Sequence, residues 1–291
     1  MNPIKISPNF LYIGASKAGS SWIFECLKEH PDAFVPPAKD VHFFHLHYEK
    51  GVAWYQGFFK GGKDKKAVGE LSHDYFLFEE VADKIKALNP DVKLLVSLRE
   101  PVDKMLSNYH YAKRTYLKEE VSFEDFFFHH ERYQKNHYQN MHKETANYYQ
   151  NLRPFYERFP KENILVVFFD DLKTQPEKFI QSIYQFLEID EAFVPSVLHT
   201  KVNPQQKARF SIVARLAYST ASVLRGLGLA NVVGAVKRNA FFEKMLYQKP
   251  KEKTSVLEED VRRKVYDYYV GDYNKLSALI GRDLPSGWYL F

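Results

Sequence analysis

The chain is poor in cysteine: Cys26 is the only one among 291 residues, so no disulfide can form within it. That usage is typical of proteins from reducing compartments. No segment approaches the roughly 20 apolar residues that a membrane-spanning helix needs. The N-terminal residues also lack the apolar run of a secretory signal peptide. From these absences we predict a cytoplasmic protein.

The chain also lacks a strong excess of either charge. Its 41 Lys and Arg residues exceed its 36 Asp and Glu residues by a formal net charge of +5. A small basic excess suits an anionic ligand but is too weak to indicate nucleic acid, which we exclude as a partner. There is no internal repeat and no low-complexity linker, and 45% of the residues are hydrophobic. We therefore predict a single domain over residues 1–291.

Short apolar segments alternate with amphipathic segments along most of the chain. Strands are predicted at 10–14, 66–70, 92–98 and 163–169, and helices at 20–30, 51–59, 81–88, 101–114, 176–189 and, near the C-terminus, 255–281. Strands that are apolar on both faces and are separated by helices are typical of parallel sheets. The pattern predicts an α/β fold, with a parallel sheet covered by helices on both faces and a helical C-terminal part.

Glycine is also sparse, but two glycines bracket the loop GASKAGSS, residues 14–21, between the first strand and the first helix. Gly14 and Gly19 let the backbone approach a ligand closely. Free N–H groups and the helix dipole favour an anion at such a helix start, where Ser20 and Ser21 can add hydroxyl groups. Lys17 supplies a movable positive charge. The loop therefore predicts an anion site, and a strand-to-helix turn without a ligand is the alternative.

The loop differs from that of nucleotide triphosphatases. Their pattern, G-x-x-x-x-G-K-[ST], places the lysine after the second glycine, whereas Lys17 lies between the two glycines. No strand is clearly followed by a magnesium-binding aspartate, although Asp170 and Asp171 come nearest to that position. An ATP-dependent kinase with a deviant loop is therefore a rival interpretation.

A second anion-binding pattern follows the strand at 92–98. Arg99 stands at the end of that strand, and Ser107 follows eight residues later in the next helix. Ligands bind at the carboxyl ends of parallel strands, and a guanidinium group can hold a phosphate through two hydrogen bonds. Two phosphate-competent positions on neighbouring strands predict one ligand with two anionic ends.

Four segments together resemble sulfotransferases that use 3′-phosphoadenosine 5′-phosphosulfate (PAPS). They are IGASKAGSS, KDVHFFHLHYEKGVAWYQGFF, GELSHDYF and LREPVDKMLSNYHYAKR. The match looks closest to the heparan sulfate N- and 3-O-sulfotransferase group and its bacterial relatives, and it implies their P-loop-like fold. It also implies that PAPS is the donor and 3′-phosphoadenosine 5′-phosphate (PAP) the product, with no metal.

The resemblance implies a role for each half of the anion site. The loop would hold the 5′-phosphosulfate through Ser16, Lys17, Ala18, Gly19, Ser20 and Ser21. Lys17 would also stabilise charge on the leaving phosphate. Arg99 and Ser107 would hold the 3′-phosphate, with Lys207 and Arg209 of the basic loop 201–209 as further candidates for that phosphate or for an anionic acceptor.

The segment KDVHFFH supplies the candidates for a catalytic base on the acceptor side. Asp40 falls on the position of the catalytic glutamate in the heparan sulfate enzymes, and His42 matches their histidine. We favour Asp40 over His42. The preference is only narrow, because Lys39 beside Asp40 could lower the pKa of this carboxyl and weaken it as a base. A solvated charge or helix cap is the alternative for Asp40. The spacing of His42, His45 and His47 matches no known metal site.

The segment GELSHDYF departs from relatives that read EKTPxYF, with Leu71 at the lysine position and His73 at the proline position. Glu70 is a second carboxylate for the cleft, or an ion-pair partner of Lys17 or Arg99. We count Lys39, Glu70 and His73 as candidate substrate-binding residues.

The predicted reaction is sulfuryl transfer to a hydroxyl group, less plausibly an amine, of a carbohydrate-type acceptor. A small hydrophobic alcohol, phenol, lipid or steroid is the rival acceptor, and a non-catalytic binder of anionic glycans is the rival class. Residues 211–243 suit either a helical lid or an interfacial helix that contacts a membrane surface, and a plain helical subdomain is the simpler alternative.

Overall fold

The computed structural model describes residues 6–115, 117, 120–129, 143–200, 207–208, 247–248 and 257–289. Its centre is a five-stranded sheet in the order β2-β3-β1-β4-β5. The strands are β1 (Phe10–Gly14), β2 (Ala33–Phe34), β3 (Ala67–Leu71), β4 (Lys93–Leu98) and β5 (Ile164–Phe168). Every pair in this sheet is parallel, which confirms the predicted fold class. A separate antiparallel pair joins β6 (Lys207–Ala208) to β7 (Tyr247–Gln248).

Helices connect the strands. In chain order they are α1 (Ser20–Glu29), α2 (Phe43–Leu46), α3 (Gly51–Gln56), α4 (Glu79–Leu88), α5 (Pro101–Thr115), α6 (Phe123–Phe128), α7 (Tyr148–Arg158), α8 (Phe169–Thr174), α9 (Pro176–Phe186) and α10 (Glu259–Ile280). Within the described parts of the chain, no helix is both long and apolar enough to cross a membrane.

The sheet separates two hydrophobic cores, because successive strand residues point to opposite faces. Leu11 and Ile13 of β1 join the larger core, whereas Phe10 and Tyr12 of the same strand join the smaller one. Helices α4, α5, α7 and α10 contribute to the larger core, and α1 and α9 to the smaller one. Helices on both faces explain why the strands are apolar throughout.

Most predicted elements differ from the observed ones by a few residues at one end or both, and three of these differences have a local cause. The strand at 163–169 ends at Phe168, because Phe169 begins α8, whose first turn carries acidic side chains that favour a helix start. The helix at 176–189 ends at Phe186, and the left-handed φ of 57° at Glu188 stops it from continuing. The helix at 51–59 divides into α3 and a 3₁₀ turn over Gly57–Gly62, a segment that contains three glycines.

The strand order places β1 between β3 and β4. Strands β2 and β3 therefore lie on one side of β1, and β4 and β5 lie on the other. In open α/β sheets, ligands bind outside the carboxyl ends of the strands at such a point of divergence. The loop at 14–21, Arg99 and the segment after Leu71 all lie at this edge, because each follows the carboxyl end of one of these three strands.

Candidate active site

The loop between β1 and α1 is fastened to the neighbouring strand by a serine. Ser97 of β4 accepts a hydrogen bond from the Ala15 N–H at its carbonyl oxygen (2.8 Å), and its buried hydroxyl donates to the Ala18 carbonyl. The Tyr12 hydroxyl donates to the Ala15 carbonyl at 2.7 Å. Gly19 precedes α1 with a left-handed φ of 96°, which glycine adopts without strain. Contacts to β1 and β4 therefore fasten the loop to the carboxyl edge of the sheet.

Three basic side chains gather around this loop. The Arg99 guanidinium donates to the Lys17 carbonyl at 3.3 Å, and the Lys17 ammonium lies 3.8 Å from the centre of the Tyr111 ring. Lys104, in the first turn of α5, is fully buried and donates to the Thr145 hydroxyl. Burial lowers the pKa of Lys104 well below its usual value, and the positive charges of Lys17 and Arg99 lower that pKa further. An anion bound here would offset this mutual repulsion.

Arg99 is supported by groups from distant parts of the chain. The Tyr148 hydroxyl of α7 donates to the Arg99 carbonyl at 2.7 Å. Glu100 begins α5 by accepting hydrogen bonds from the N–H groups of Val102 and Asp103 at 2.9 and 2.7 Å. Arg262 of α10 lies 3.5 Å from the Glu100 carboxylate and 3.3 Å from that of Asp103.

The guanidinium of Arg99 keeps hydrogen-bonding capacity. Its Nε is buried and has no hydrogen-bond partner among the residues that the structure describes. Ser107 is half-buried in the second turn of α5, the helix that follows Arg99. Both groups predicted to hold the 3′-phosphate therefore lie on one strand-to-helix connection.

Lys39 joins the anion loop, residues 14–21, to the predicted acceptor side. Its ammonium donates to the Ser20 hydroxyl at 3.2 Å and lies 3.6 Å from the Asp40 carboxylate. Asp40 is held beside the end of β3, because its N–H donates to the Leu71 carbonyl at 2.9 Å. The other carboxylate oxygen of Asp40 lies 2.6 Å from Nδ1 of His73.

These partners decide the charge of Asp40. Burial alone would raise the pKa of this carboxyl, but the charges of Lys39 and His73 and the His73 hydrogen bond hold the pKa well below its usual range. Asp40 is therefore ionised at neutral pH and binds a proton weakly. Lys39 lowers the pKa of Asp40 as expected, and His73 lowers it further.

His42 belongs to a second ionic group. Its Nδ1 lies 3.0 Å from one oxygen of Asp74, and Nε2 of His45 lies 3.4 Å from the other. Burial alone would lower the pKa of His42, but Asp74, Asp40 and Glu70 together raise it to about 9. His42 is therefore protonated at neutral pH and is an electrostatic group rather than a base. The donor atoms of His42, His45 and Asp74 lie within 4.8 Å of one another. Ion pairing accounts for their separations, so we interpret the group as a charge network.

Glu70 occupies a different place from the one predicted. It is fully buried, and its carboxylate accepts hydrogen bonds from Tyr75 at 2.5 Å, Ser72 at 2.7 Å and Tyr55 at 3.2 Å. Burial raises the pKa of Glu70 to about 7, although hydrogen bonds from Tyr75 and Ser72 oppose the rise. The predicted contact between Glu70 and an acceptor is wrong, because the carboxylate has no exposed surface and its oxygens are used in the core.

Some predicted residues cannot be placed in the site. Lys207 belongs to β6, but its side chain lies outside the described residues, as do Lys201 and Arg209. The segment 211–243, predicted as a lid or interfacial helix, also lies outside them. Conversely, Ser97, Lys104, Asp74 and Tyr148 support the site and were not predicted from the sequence.

Comparison with known proteins identifies the family. A family model of the sulfotransferase domain matches residues 7–259. The chain belongs to the sulfotransferase family. This sulfotransferase is 30% identical over 192 residues to human heparan sulfate glucosamine 3-O-sulfotransferase 5, covering 62% of this chain and 54% of that protein. It is 34% identical over 102 residues to mouse heparan sulfate glucosamine 3-O-sulfotransferase 6, covering 35% and 30%. The chain thus spans about a third to a half of the length of these relatives.

Solved structures support the fold of this sulfotransferase. A crystal structure of a sulfotransferase from Alicyclobacillus acidocaldarius has a TM-score of 0.69 and 22% identity, covering 98% of this chain and 99% of that one. A mouse sulfotransferase complexed with PAP has a TM-score of 0.50 and 15% identity, covering 93% of this chain and 87% of that one. These likenesses extend over nearly the whole chain.

Proposed function

We propose that this sulfotransferase transfers the sulfuryl group of PAPS to a hydroxyl group of a carbohydrate-type acceptor. The observation that carries the proposal is the gathering of Lys17, Arg99 and Lys104 around a rigid, glycine-bracketed loop at the carboxyl edge of the sheet. Two anionic ends of one nucleotide fit the two anion-binding connections, one after β1 and one after β4. The solved mouse relative was complexed with PAP, which agrees with this donor.

Each half of the donor site has its own residues. Residues 16–21 hold the 5′ end of the donor through loop N–H groups, the Ser20 and Ser21 hydroxyls and Lys17. Arg99 and Ser107 hold the 3′-phosphate. Arg99 fits that part because its buried Nε has no hydrogen-bond partner among the described residues, and a phosphate oxygen would supply one.

The donor, when bound, supplies the sulfuryl group and leaves as PAP. Lys17 stabilises the negative charge that develops on the leaving phosphate, and the fixed N–H groups of the loop share that charge. Lys39 holds the Ser20 hydroxyl on one side and Asp40 on the other, so it sets the distance between the donor and acceptor halves of the site. This chemistry requires no metal.

A carbohydrate acceptor is favoured by the relatives. The heparan sulfate 3-O-sulfotransferases that match this chain at 30% to 35% identity act on a glycan by name. The loss of the lysine at position 71 sets this chain apart from enzymes that bind acidic glycans, since Leu71 is buried and apolar. We therefore expect an acceptor sugar with less negative charge than heparan sulfate.

The deciding experiment is calorimetric titration with PAP in the absence of magnesium, beside titration with ATP and magnesium. We expect micromolar binding of PAP, on the order of 8 kcal/mol, and no binding of ATP. Binding of ATP alone would refute the donor assignment in favour of a kinase. Arg99→Ala should weaken PAP binding, and Arg153→Ala is the matched control, because Arg153 is an exposed arginine of α7 that pairs only with Glu157 among the described residues.

Transfer is tested with radiolabelled PAPS and a panel of acceptors. The panel contains heparosan oligosaccharides with and without N-sulfo groups, neutral oligosaccharides and p-nitrophenol. Label in a neutral oligosaccharide is the expected result. Label in p-nitrophenol alone would move the acceptor to the phenol class, and binding of PAP without any cleavage of PAPS would indicate a non-catalytic protein.

A further inference from the structure

The buried carboxylate of Glu70 is linked to the acceptor side of the site through two hydroxyl groups. Ser72 donates to one Glu70 oxygen at 2.7 Å and accepts a hydrogen bond from the His42 N–H at 3.0 Å. Tyr75 donates to the other oxygen at 2.5 Å and accepts from the Phe43 N–H at 2.9 Å. Each hydroxyl thus connects one N–H group at the start of α2 to the same carboxylate.

The segment that carries these N–H groups has an unusual backbone. Asp40 and His42 have left-handed φ angles of 61° and 56°. Residues other than glycine adopt this conformation rarely, and they keep it only where surrounding contacts impose it. The Asp40 N–H is held by the Leu71 carbonyl of β3, and the two hydroxyl groups hold the N–H groups of His42 and Phe43. The end of β3 and the turn after it therefore fix the backbone of segment 40–43.

The hydrogen bonds around Glu70 need an ionised carboxylate. The Ser72, Tyr75 and Tyr55 hydroxyls all donate to it, and an ionised carboxylate is the side chain that only accepts. An amide or a protonated carboxyl would present a donor on one side. The hydroxyl that faces this donor would lose the acceptor of its own proton, and the N–H group behind it would be held less firmly.

The core keeps this carboxylate at a cost to stability. Burial raises the pKa of Glu70 to about 7, so the ionised form destabilises the fold at higher pH. Groups that a fold retains against its own stability are typical of functional sites. The position of Glu70 behind the acceptor side gives such a function.

We propose that Glu70 is a positioning residue for sulfuryl transfer. Through its two hydroxyl partners it holds segment 40–43 in the shape that presents the partly exposed side chains of Asp40 and His42 to the acceptor. This inference rests on the proposed sulfotransferase function. It gives Glu70 a part in the reaction although the carboxylate has no exposed surface and does not touch the acceptor.

The test measures kcat for PAPS cleavage with the acceptor panel, and the Kd for PAP, in three variants. Glu70→Gln keeps the size of the side chain but turns an amide N–H group towards one hydroxyl. Ser72→Ala and Tyr75→Phe each remove one hydroxyl link. We expect each variant to lower kcat by at least about tenfold and to change the Kd for PAP by less than about twofold, because only the acceptor side is displaced. Glu70→Gln combined with Ser72→Ala should cost little more than Glu70→Gln alone, since the residues act as a unit.

Tyr55→Phe is the matched control. It also removes a buried hydroxyl that donates to Glu70, at 3.2 Å. Among the described residues, however, this hydroxyl has no hydrogen bond to segment 40–43, and the phenylalanine ring can keep the stacking on Phe43. We expect kcat within about threefold of wild type. All assays are run about one pH unit above the Glu70 pKa of about 7, where the carboxyl is ionised.

Amide hydrogen exchange separates positioning from a general loss of stability. Ser72→Ala should speed exchange of the His42 N–H by about tenfold or more. Tyr75→Phe should do the same for the Phe43 N–H. Amides of the sheet should keep their protection in both variants, and Tyr55→Phe should change neither N–H group.

Two results would overturn the inference while leaving the proposed function intact. One is that Glu70→Gln and Tyr75→Phe both keep kcat within about threefold of wild type. The other is that Tyr55→Phe loses as much activity as Tyr75→Phe while the amides of the whole sheet exchange faster, which would mean a structural role alone. If the wild-type protein neither binds PAP nor cleaves PAPS, the proposed function itself fails, and this inference fails with it.

Discussion

The charge on His42 gives the sharpest test of the electrostatics described above. Burial alone would lower the pKa of His42, but in the folded chain Asp74, together with Asp40 and Glu70, raises it from 6.5 to about 9. Each pKa unit corresponds to about 1.4 kcal/mol, so the paired ring stabilises the fold by about 3 kcal/mol when it is charged in both states. Because the folded pKa is the higher one, this stability is fully present below pH 6.5 and is lost as the pH rises through about 9.

The perturbation is His42→Gln, and the assay is urea unfolding of both proteins at pH values from below 6.5 to above 9. The difference in the free energy of unfolding between wild type and variant should shrink by about 3 kcal/mol across this range. Groups remote from His42 titrate equally in both proteins and cancel in the difference, whereas the pKa of Glu70, which the His42 charge lowers, rises in the variant. Asp74→Asn should remove the same pH-dependent part of the free energy of unfolding, because it removes the partner of the His42 ring.

A constant difference across the range would refute the reasoning. The ring would then be neutral in the folded protein, and His42 would again be a candidate for the catalytic base. Titration of the His42 ring by NMR would settle the same point without unfolding, since its shift should begin to change only well above neutral pH.

Four further outcomes are expected. Lys17→Ala should lower kcat by about a hundredfold or more, because it removes charge stabilisation from the leaving phosphate, and a near-normal rate would reject that role. Arg99→Ala should raise the Kd for PAP by about ten- to a hundredfold, since a charged hydrogen bond contributes about 1.5–3 kcal/mol; an unchanged Kd would reject the 3′-phosphate assignment. The pKa of Glu70 is raised from 4.5 to about 7, so the free energy of unfolding of the wild type should decline by about 3 kcal/mol between those pH values relative to that of Glu70→Gln. Parallel pH profiles of stability for the two proteins would contradict the raised pKa of the buried carboxyl. Dialysis against EDTA should leave PAP binding and PAPS cleavage unchanged, and loss of either on metal removal would mean that the charge network holds an ion.

The sequence predicted the parallel sheet because the evidence for it is local. Apolar strands such as 92–98 and amphipathic helices such as 81–88 carry their periodicity within a few residues. The evidence for the anion loop is also local, since Gly14, Lys17 and Gly19 lie within six consecutive positions. The position of Lys17 within the loop already separated it from the triphosphatase pattern.

The partners of these residues were not predictable in the same way. Asp74 determines the charge of His42 across 32 positions of sequence, and nothing local marks it as more than a polar residue after a strand. Ser97 looks like an interruption of an apolar strand, yet its hydroxyl holds the loop at Ala18 across 79 positions. Lys104 resembles an ordinary surface lysine of a helix, and only the packing of α5 shows that it is buried.

The position of α10 has a consequence for how the protein becomes competent. Arg262 reaches Asp103 across 159 positions of the chain, at the start of the helix that follows Arg99. A chain that stops before Arg262 lacks its ion pairs with Glu100 and Asp103, and it also lacks the side chains that α10 contributes to the larger core. During synthesis, affinity for the donor should therefore arise late, after most of the sheet has formed. Helix α10 in this way makes donor binding depend on residues far along the chain from the loop, and a product that lacks α10 would not compete for the nucleotide.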